Sequence, residues 1–533
     1  MSEKKSVFKG DATDLDSVNL EEPLQTVKSS VCDYYTSAYA EEAKKAEDSG
    51  DTKTARVFQF IQVVTSFHPD FGDPVTPYRP MLVMDGRRSL VPDDLHENDF
   101  SVIRELAVRV IDPALRARLY DVLWIEERNH LDCREASASY LKSAKHLDAN
   151  DDWTFAVTQY FRGLQLASKL GRRKDSFQTI STELVAAIVR TRDSEDEYRT
   201  SRFLDVAIEF GCGEPGELAE IARQIGDRAA EANDHRKSRS YWELEAKLRR
   251  GEGDDDLALE AERRAAETLV VEAEERASGP NGSFLAAAGF LKEGIEALRR
   301  ARIPRERIDE LKVRLAEYQH NSLSEMQSFE TSVDISEMVA GARDHVKGRN
   351  FFEALQRFAL GHPLIDVEQL REEVIQNAND FPMQHLFAGS MVDEEGRSTV
   401  ELPTLFHVEG EEAEDAIEPE MFAHAAKFIW GIRMSSFIDP ARLQILNEHH
   451  PSLRNLAFLV RNNPFVPPGH EGVFLRGIHA GFHDDFLVAA HLLVPQIENS
   501  MRHVLTGNGV DVSNLMADGT QPVKILGPLF DLE

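Results

Sequence analysis

Apolar positions recur at intervals of three and four along most of this chain, the spacing of one face of an α-helix. Leu24 to Phe67 carries the first such pattern and ends on VFQFIQVVTSF. The next stretch, HPDFGDPVTPYRPMLVMDGRRSLVPDDL, holds five prolines and two glycines, so residues 68–98 are expected to form an irregular surface loop. From Asp99 helix signals return for nearly 300 residues. In DPALRARLYDVLWIEER, Asp112 can cap and Pro113 suits a first helical turn, with Leu115, Leu119, Val122 and Leu123 facing inward. Segments such as WTFAVTQYFRGLQLASKLG, LAEIARQIGDRAAEAN and SFLAAAGFLKEGIEALRR follow, rich in alanine and separated by short polar turns. Small residues at close helix contacts predict stacked antiparallel pairs. No fixed repeat length is visible, so the expected architecture is an irregular α-solenoid reminiscent of tetratricopeptide arrays.

The pattern changes near the C-terminus. SMVDEEGRSTVEL predicts one small β-hairpin, and EGEEAEDAIEPE an acidic loop or linker. Helical spacing resumes at Met421 and culminates in DFLVAAHLLVPQIENSMRHVL, residues 485–505. There Leu487, Ala490, Val494, Ile497, Met501 and Leu505 form one stripe, expected to face a core. His491, Glu498 and Arg502 align along its flank, seven and four residues apart, and are expected to be partly buried. The expected division is a mobile arm (1–25), a helical array (26–390), the hairpin and acidic linker (391–420) and a C-terminal helical domain (421–533). The fold class is all-α.

Composition narrows the function classes. With 533 residues and 42% apolar content the chain can bury several cores. No apolar run approaches the roughly 20 residues of a membrane-spanning helix, and the N-terminus has no apolar signal region. A cytoplasmic protein without membrane attachment is expected. Cys32, Cys133 and Cys212 are far apart and odd in number, which argues against disulfides or a zinc cluster and for buried small side chains. A net charge of −32 speaks against general DNA or RNA coating. The charge is uneven, however: residues 421–533 carry eight Lys and Arg against ten Asp and Glu, leaving −30 of the −32 upstream. That portion also holds 8 of the 18 histidines, so a local RNA site there remains open.

Chemistry concentrates on the same helix. Glu498 and Arg502 are spaced to pair, His491 lies two turns away, and Pro495 deprives the His491 carbonyl of its helical donor. These three are the candidate catalytic residues. A buried salt bridge beside a hydrogen-bonded histidine is the structural alternative. His449 and His450 point about 100° apart on a helix, and His470, His479 and His483 have no cysteine or carboxylate pattern beside them, so no metal or other cofactor is expected. Phosphate-loop, dinucleotide, serine-hydrolase and zinc-protease motifs are absent.

The stretch PSLRNLAFLVRNNPFVPPGHEGVFLRGIHAGFHDDFLVAAHLLVPQIENSMRHVLTGNGV, followed by DGTQPVKILGPL, resembles domain-of-unknown-function family 4209. That family includes the endoplasmic-reticulum-membrane-associated RNA degradation protein. ARLYDVLW is similar to the N-terminal region that accompanies this domain in bacterial proteins. The resemblance implies a HEPN-like helical nuclease that cuts RNA without a metal, commonly across a homodimer interface, in phage defence or stress response. Its hallmark Arg-Asn-x-x-x-His-Gly is not matched: Arg454-Asn455 has no histidine at the required spacing, Arg461-Asn462 runs into Pro464, and Arg476 to His483 spans a glycine-rich turn. The HEPN-like domain is therefore expected to be incomplete, with His491, Glu498 and Arg502 as one wall of its pocket. A catalytically silent scaffold or adaptor, binding a protein partner on the helical array, is the alternative.

Overall fold

The computed structural model describes residues 6–530 apart from 74–75, 85–86, 195–196, 280–281, 327–331, 362–363, 387, 406–410, 515 and 517–519. The chain is all-α with small antiparallel hairpins, and divides into two compact units, Met1–Glu325 and Met326–Glu533. Among the described residues no helix is long and apolar enough to cross a membrane.

Among its described residues the first unit stacks thirteen helices: α1 (Cys32–Asp48), α2 (Thr52–Thr65), α3 (Glu97–Arg109), α4 (Pro113–Glu127), α5 (His130–Ala149), α6 (Trp153–Leu170), α7 (Asp175–Thr191), α8 (Glu197–Phe210), α9 (Pro215–Glu231), α10 (His235–Glu252), α11 (Asp255–Ser278), α12 (Phe284–Arg300) and α13 (Arg305–Ser322). Most pack against the next in sequence, as a solenoid requires. The start of α4 follows the sequence reading: Asp112 accepts from the Leu115 N–H at 2.8 Å, with Pro113 behind it. Alanines 136, 156, 187, 222, 261 and 287 are fully buried and let neighbouring helices approach. At Gly226 the approach is also close, since a β-carbon there would lie 2.7 Å from the Trp242 ring. The Arg/Glu faces do more than pair along one helix. Arg199 binds Asp148, Arg239 binds Glu272 and Arg264 binds Glu245, each across two helices.

Two expectations for this unit change. Of the expected mobile arm (1–25), the described residues 6–25 are ordered, with two short 3-10 turns at Ala12–Ser17 and Glu22–Thr26 and with Phe8, Leu15 and Leu20 in the first core. Asp99 holds them by accepting from Ser6 Oγ (2.7 Å), the Val7 N–H (3.0 Å) and the Phe8 N–H (2.9 Å). Sequence spacing could not show this, because the partner lies about ninety residues away. The Pro-rich excursion is only partly a surface loop. Strands β1 (His68–Pro69) and β2 (Tyr78–Arg79) pair and bury Phe71 and Tyr78, whereas β3 (Val83–Met84) and β4 (Arg87–Arg88) form an exposed tip.

The second unit begins with α14 (Ser336–Val346), α15 (Phe351–Leu360) and α16 (Val367–Asp380), which the sequence assigned to the array. The expected hairpin is present as β5 (Gly389–Val392) with β6 (Ser398–Leu402). The acidic run is helical from Glu411, in α17 (Glu411–His424), while Glu409 and Gly410 lie outside the described residues. α18 (Trp430–Arg433) and α19 (Asp439–His449) continue it through two π-helical turns, at Ala425–Ile429 and Met434–Ile438. α20 (Leu453–Leu456), α21 (Glu471–Phe482), α22 (Phe486–Gly507) and α23 (Leu526–Phe530) complete the unit. Its cores are small and centre on Ile445, Leu456, Phe474 and Phe482.

Candidate functional site

α22 is the helix on which sequence placed the chemistry. Asp485 caps it by accepting from the Val488 N–H at 3.1 Å. It packs on α21, but not through the expected stripe. Leu487 is 73% exposed and Val494 60%, with Ile497 and Ala490 also exposed. The inner face is instead Ala489, Leu493, Gln496 and Ser500, roughly 120° around the helix. The reason lies on α21. Gly477 and Gly481 leave a shallow channel, in which a β-carbon at 477 would come within 2.7 Å of Leu493 Cδ2, and one at 481 within 3.6 Å of Ala489 Cβ. Close fit of small residues selected that face over the more apolar one. Gln496 is half-buried and its Oε1 lies 2.6 Å from His470 Nδ1.

The three candidate residues are not gathered. His491 is exposed, and its Nδ1 contacts the Leu487 carbonyl of its own helix at 2.8 Å. Glu498 and Arg502 form a close ion pair and are half-buried, as the spacing implied. Arg502 also donates from Nε to the Lys524 carbonyl (2.9 Å) and from Nη1 to Asn499 Oδ1 (3.1 Å). The pair therefore fastens the segment around Lys524 to the helix. Among the described residues no hydrogen bond joins His491 to Glu498 or Arg502. The histidines of α21 meet: His479 and His483 stack at 4.1 Å, and burial, then the charge of His483, lowers the His479 pKa. Among the described residues no three or more His, Cys, Asp or Glu side chains are placed to hold a metal ion.

Sequence reasoning missed Arg442, which organises this end of the unit. It is buried on α19 and donates to the Phe482 carbonyl, Asp439 Oδ1 and Asp484 Oδ1, each at 2.9 Å, with its guanidinium 5.1 Å from the Phe486 ring. The turn between α21 and α22 is thereby tied to α19.

It also missed the densest polar cluster of the first unit. Asp121 is fully buried on α4 and accepts at Oδ2 from Tyr78 (3.0 Å), Tyr140 (2.9 Å) and Arg162 Nε (2.9 Å), and at Oδ1 from Arg162 Nη2 (2.8 Å). Burial disfavours the Arg162 charge, but the charge of Asp121 and its hydrogen bonds outweigh that and hold the arginine pKa above its usual value. Burial, followed by the Asp121 charge, raises both tyrosines. They remain donors at any neutral pH. With its oxygens so occupied, Asp121 braces the Pro-rich excursion, α4, α5 and α6 together. The available signal was a charged residue inside an apolar helical run, Asp121 in LYDVLW and Arg162 in YFRGLQL.

Residues 5–179 match a family described as Domain of unknown function (DUF7380). The Asp121 cluster lies inside this match. α22 and the stretch resembling family 4209 lie outside it. No curated protein and no solved structure matches the chain.

Proposed function

We propose that this chain is a helical interaction protein whose second unit pairs with another copy of the same chain through the outer face of α22. The observation that carries the reading is that face. Leu487, Val488, Val494, Ile497 and Val504 are exposed along the helix, while the polar residues expected to do chemistry are dispersed or committed to holding the terminal segment. A contiguous apolar helix face in water marks an interaction surface. Charge favours a second copy as occupant. A partner molecule also carries −32, and repulsion between copies is weakest where the local balance is nearly neutral, as it is across residues 421–533. Glu498 and Arg502, which lie beside these positions, are paired with each other, so an isologous contact brings together no like charges that lack a counter-ion along this helix. The helical array is then left to hold a protein partner.

Light scattering on the purified chain tests the pairing. The expected result is a dimer at micromolar concentration that becomes monomeric in Leu487→Glu/Val494→Glu with helical content unchanged. A monomeric wild type overturns it.

A second reading, metal-independent RNA cleavage in a defence or stress setting, is favoured by the resemblance of the stretch from Pro451 to Leu529 to the HEPN-like family. His491, Glu498 and Arg502 would then line the RNA pocket as one wall, with the phosphate-stabilising and proton-transferring residues supplied elsewhere. Cleavage of labelled RNA by the purified chain, lost in His491→Ala at unchanged fold, supports it. An inert wild type leaves the interaction protein.

A further inference from the structure

A cavity of about 260 Å³ lies within the first unit, between the start of α1, the Pro-rich excursion and helices α4 to α6. Its apolar wall comes from Val31, Pro69, Phe71, Ala114 and Phe155. Four polar side chains interrupt that wall: Arg118, Gln159, Thr158 and Tyr140, whose hydroxyl donates to Asp121. Arg118 is 5% exposed, and its position is fixed on two sides. Nη1 donates to the Phe67 carbonyl at 2.6 Å, and the guanidinium lies 4.9 Å from the centre of the Tyr78 ring. Tyr78 is itself held by Asp121. The cation is thus preorganised by the network that braces the fold, and no acidic residue is among those lining the cavity.

We infer that this cavity binds a small organic monocarboxylate with an apolar body, its carboxylate facing Arg118. Size, charge and lining each restrict the ligand. The volume falls below the roughly 300–1,000 Å³ of drug-sized sites, so the ligand is small. A guanidinium in an apolar wall favours an anion, and a carboxylate matches its planar geometry. A phosphoryl dianion fits less well, because its second charge faces Phe71 and Phe155 rather than another cation. Gln159 and Thr158 supply neutral hydrogen-bonding groups beside the charge, and the remaining wall suits an aromatic or branched aliphatic group. Thr158 is exposed and stands at the mouth. Cys32 also lines the cavity, its Sγ 3.6 Å from the Ala114 carbonyl, and offers a built-in reporter.

The test uses the full chain with benzoate, phenylacetate and 4-methylpentanoate, each beside its neutral amide, and with inorganic phosphate. Calorimetry and thermal unfolding are expected to show binding of at least one acid, with the amide weaker by about tenfold or more, the loss of one charge-assisted interaction. All three cysteines are buried, and bound acid is expected to slow alkylation of Cys32, which lines the cavity, more than that of Cys133 and Cys212. Thr158→Trp, which fills the mouth from a surface position, abolishes both effects. Arg118→Gln does the same if it folds; if it does not, the acid-against-amide comparison and Thr158→Trp decide. Absence of binding by all three acids, equal binding of acid and amide, unchanged binding in Thr158→Trp, or preference for phosphate overturns the assignment. Leu487→Glu/Val494→Glu retains binding, which separates this result from the pairing of the second unit.

Discussion

The two units treat apolar surface in opposite ways. In the first, long helices close over continuous cores that run from Phe8 to Tyr318, and exposed large apolar residues are scattered singly apart from the hairpin tip Met81–Met84. In the second, cores are small, and Leu360, Leu364, Phe381, Met383, Phe422, Phe428 and Trp430 join the α22 face at the surface. Charge does not follow this division: Met1–Glu325 carries −15 and Met326–Glu533 carries −17, of which only −2 lies after Glu420. The first unit is built to stand in water: its arginines bridge one helix to the next. On the proposed reading, the second gains from a neighbour.

The largest test of this contrast places the same substitution in each unit. Leu184, fully buried on α7, replaced by Glu puts an unpaired carboxylate into the array core; several kcal/mol are lost and the unit is expected to unfold at room temperature. Leu487→Glu alone is expected to change monomer stability by no more than about 0.5 kcal/mol. Urea unfolding followed by circular dichroism reads both, and equal losses would erase the distinction.

Next in size is the brace at the centre of the first unit. Asp121→Ala leaves Arg162 buried without its carboxylate and is expected to cost about 3–5 kcal/mol. A separate unfolding transition of the second unit, followed by hydrogen exchange across α21 and α22, should not move.

The smallest effect concerns acid. At Asp99 burial raises the pKa, but the hydrogen bonds from Ser6 and from the His96, Phe8 and Val7 N–H groups outweigh it and hold the carboxyl below its usual value. A lowered folded pKa means stability that is present above about pH 4, the unfolded carboxylate value, and lost as pH falls through the folded one. Residues 6–20 are therefore expected to lose exchange protection on acidification before the rest of the first core does. Asp99→Asn should loosen them at neutral pH. Identical protection in that variant would show that Phe8, Leu15 and Leu20 hold the segment without the carboxylate.

Much of the array was legible because its determinants are local. Asp112 and Pro113 start α4 where the sequence places it, and the alanine-rich faces meet their neighbours as expected. What escaped depends on distant partners. Phe8, Leu15 and Leu20 are too sparse to show a period, and the groups that hold the segment, among them Tyr39, Arg56 and Asp99, lie elsewhere in the chain. Phe71 and Tyr78 sit among prolines that mask their burial. On α22 two faces are apolar enough to be core, and the choice is made by Gly477 and Gly481 on another helix. The candidate site was partly legible for the same reason. Spacing along one helix does join Glu498 to Arg502. It cannot say whether anything from elsewhere meets His491.

The fastening of residues 6–8 by Asp99 also bears on the order in which the protein takes shape during synthesis. At about 5–20 residues per second, the ribosome takes roughly 5–20 s to add the residues that separate Ser6 from Asp99. Through that interval residues 6–8 emerge without their anchor, although Tyr39 and Arg56, which bind the Leu20 carbonyl and Asp14, are made sooner, and Asp11, Asp14, Asp16, Glu21 and Glu22 keep the nascent segment polar. The acidic character that makes this stretch look like a permanent tail is suited to its waiting time at the tunnel exit.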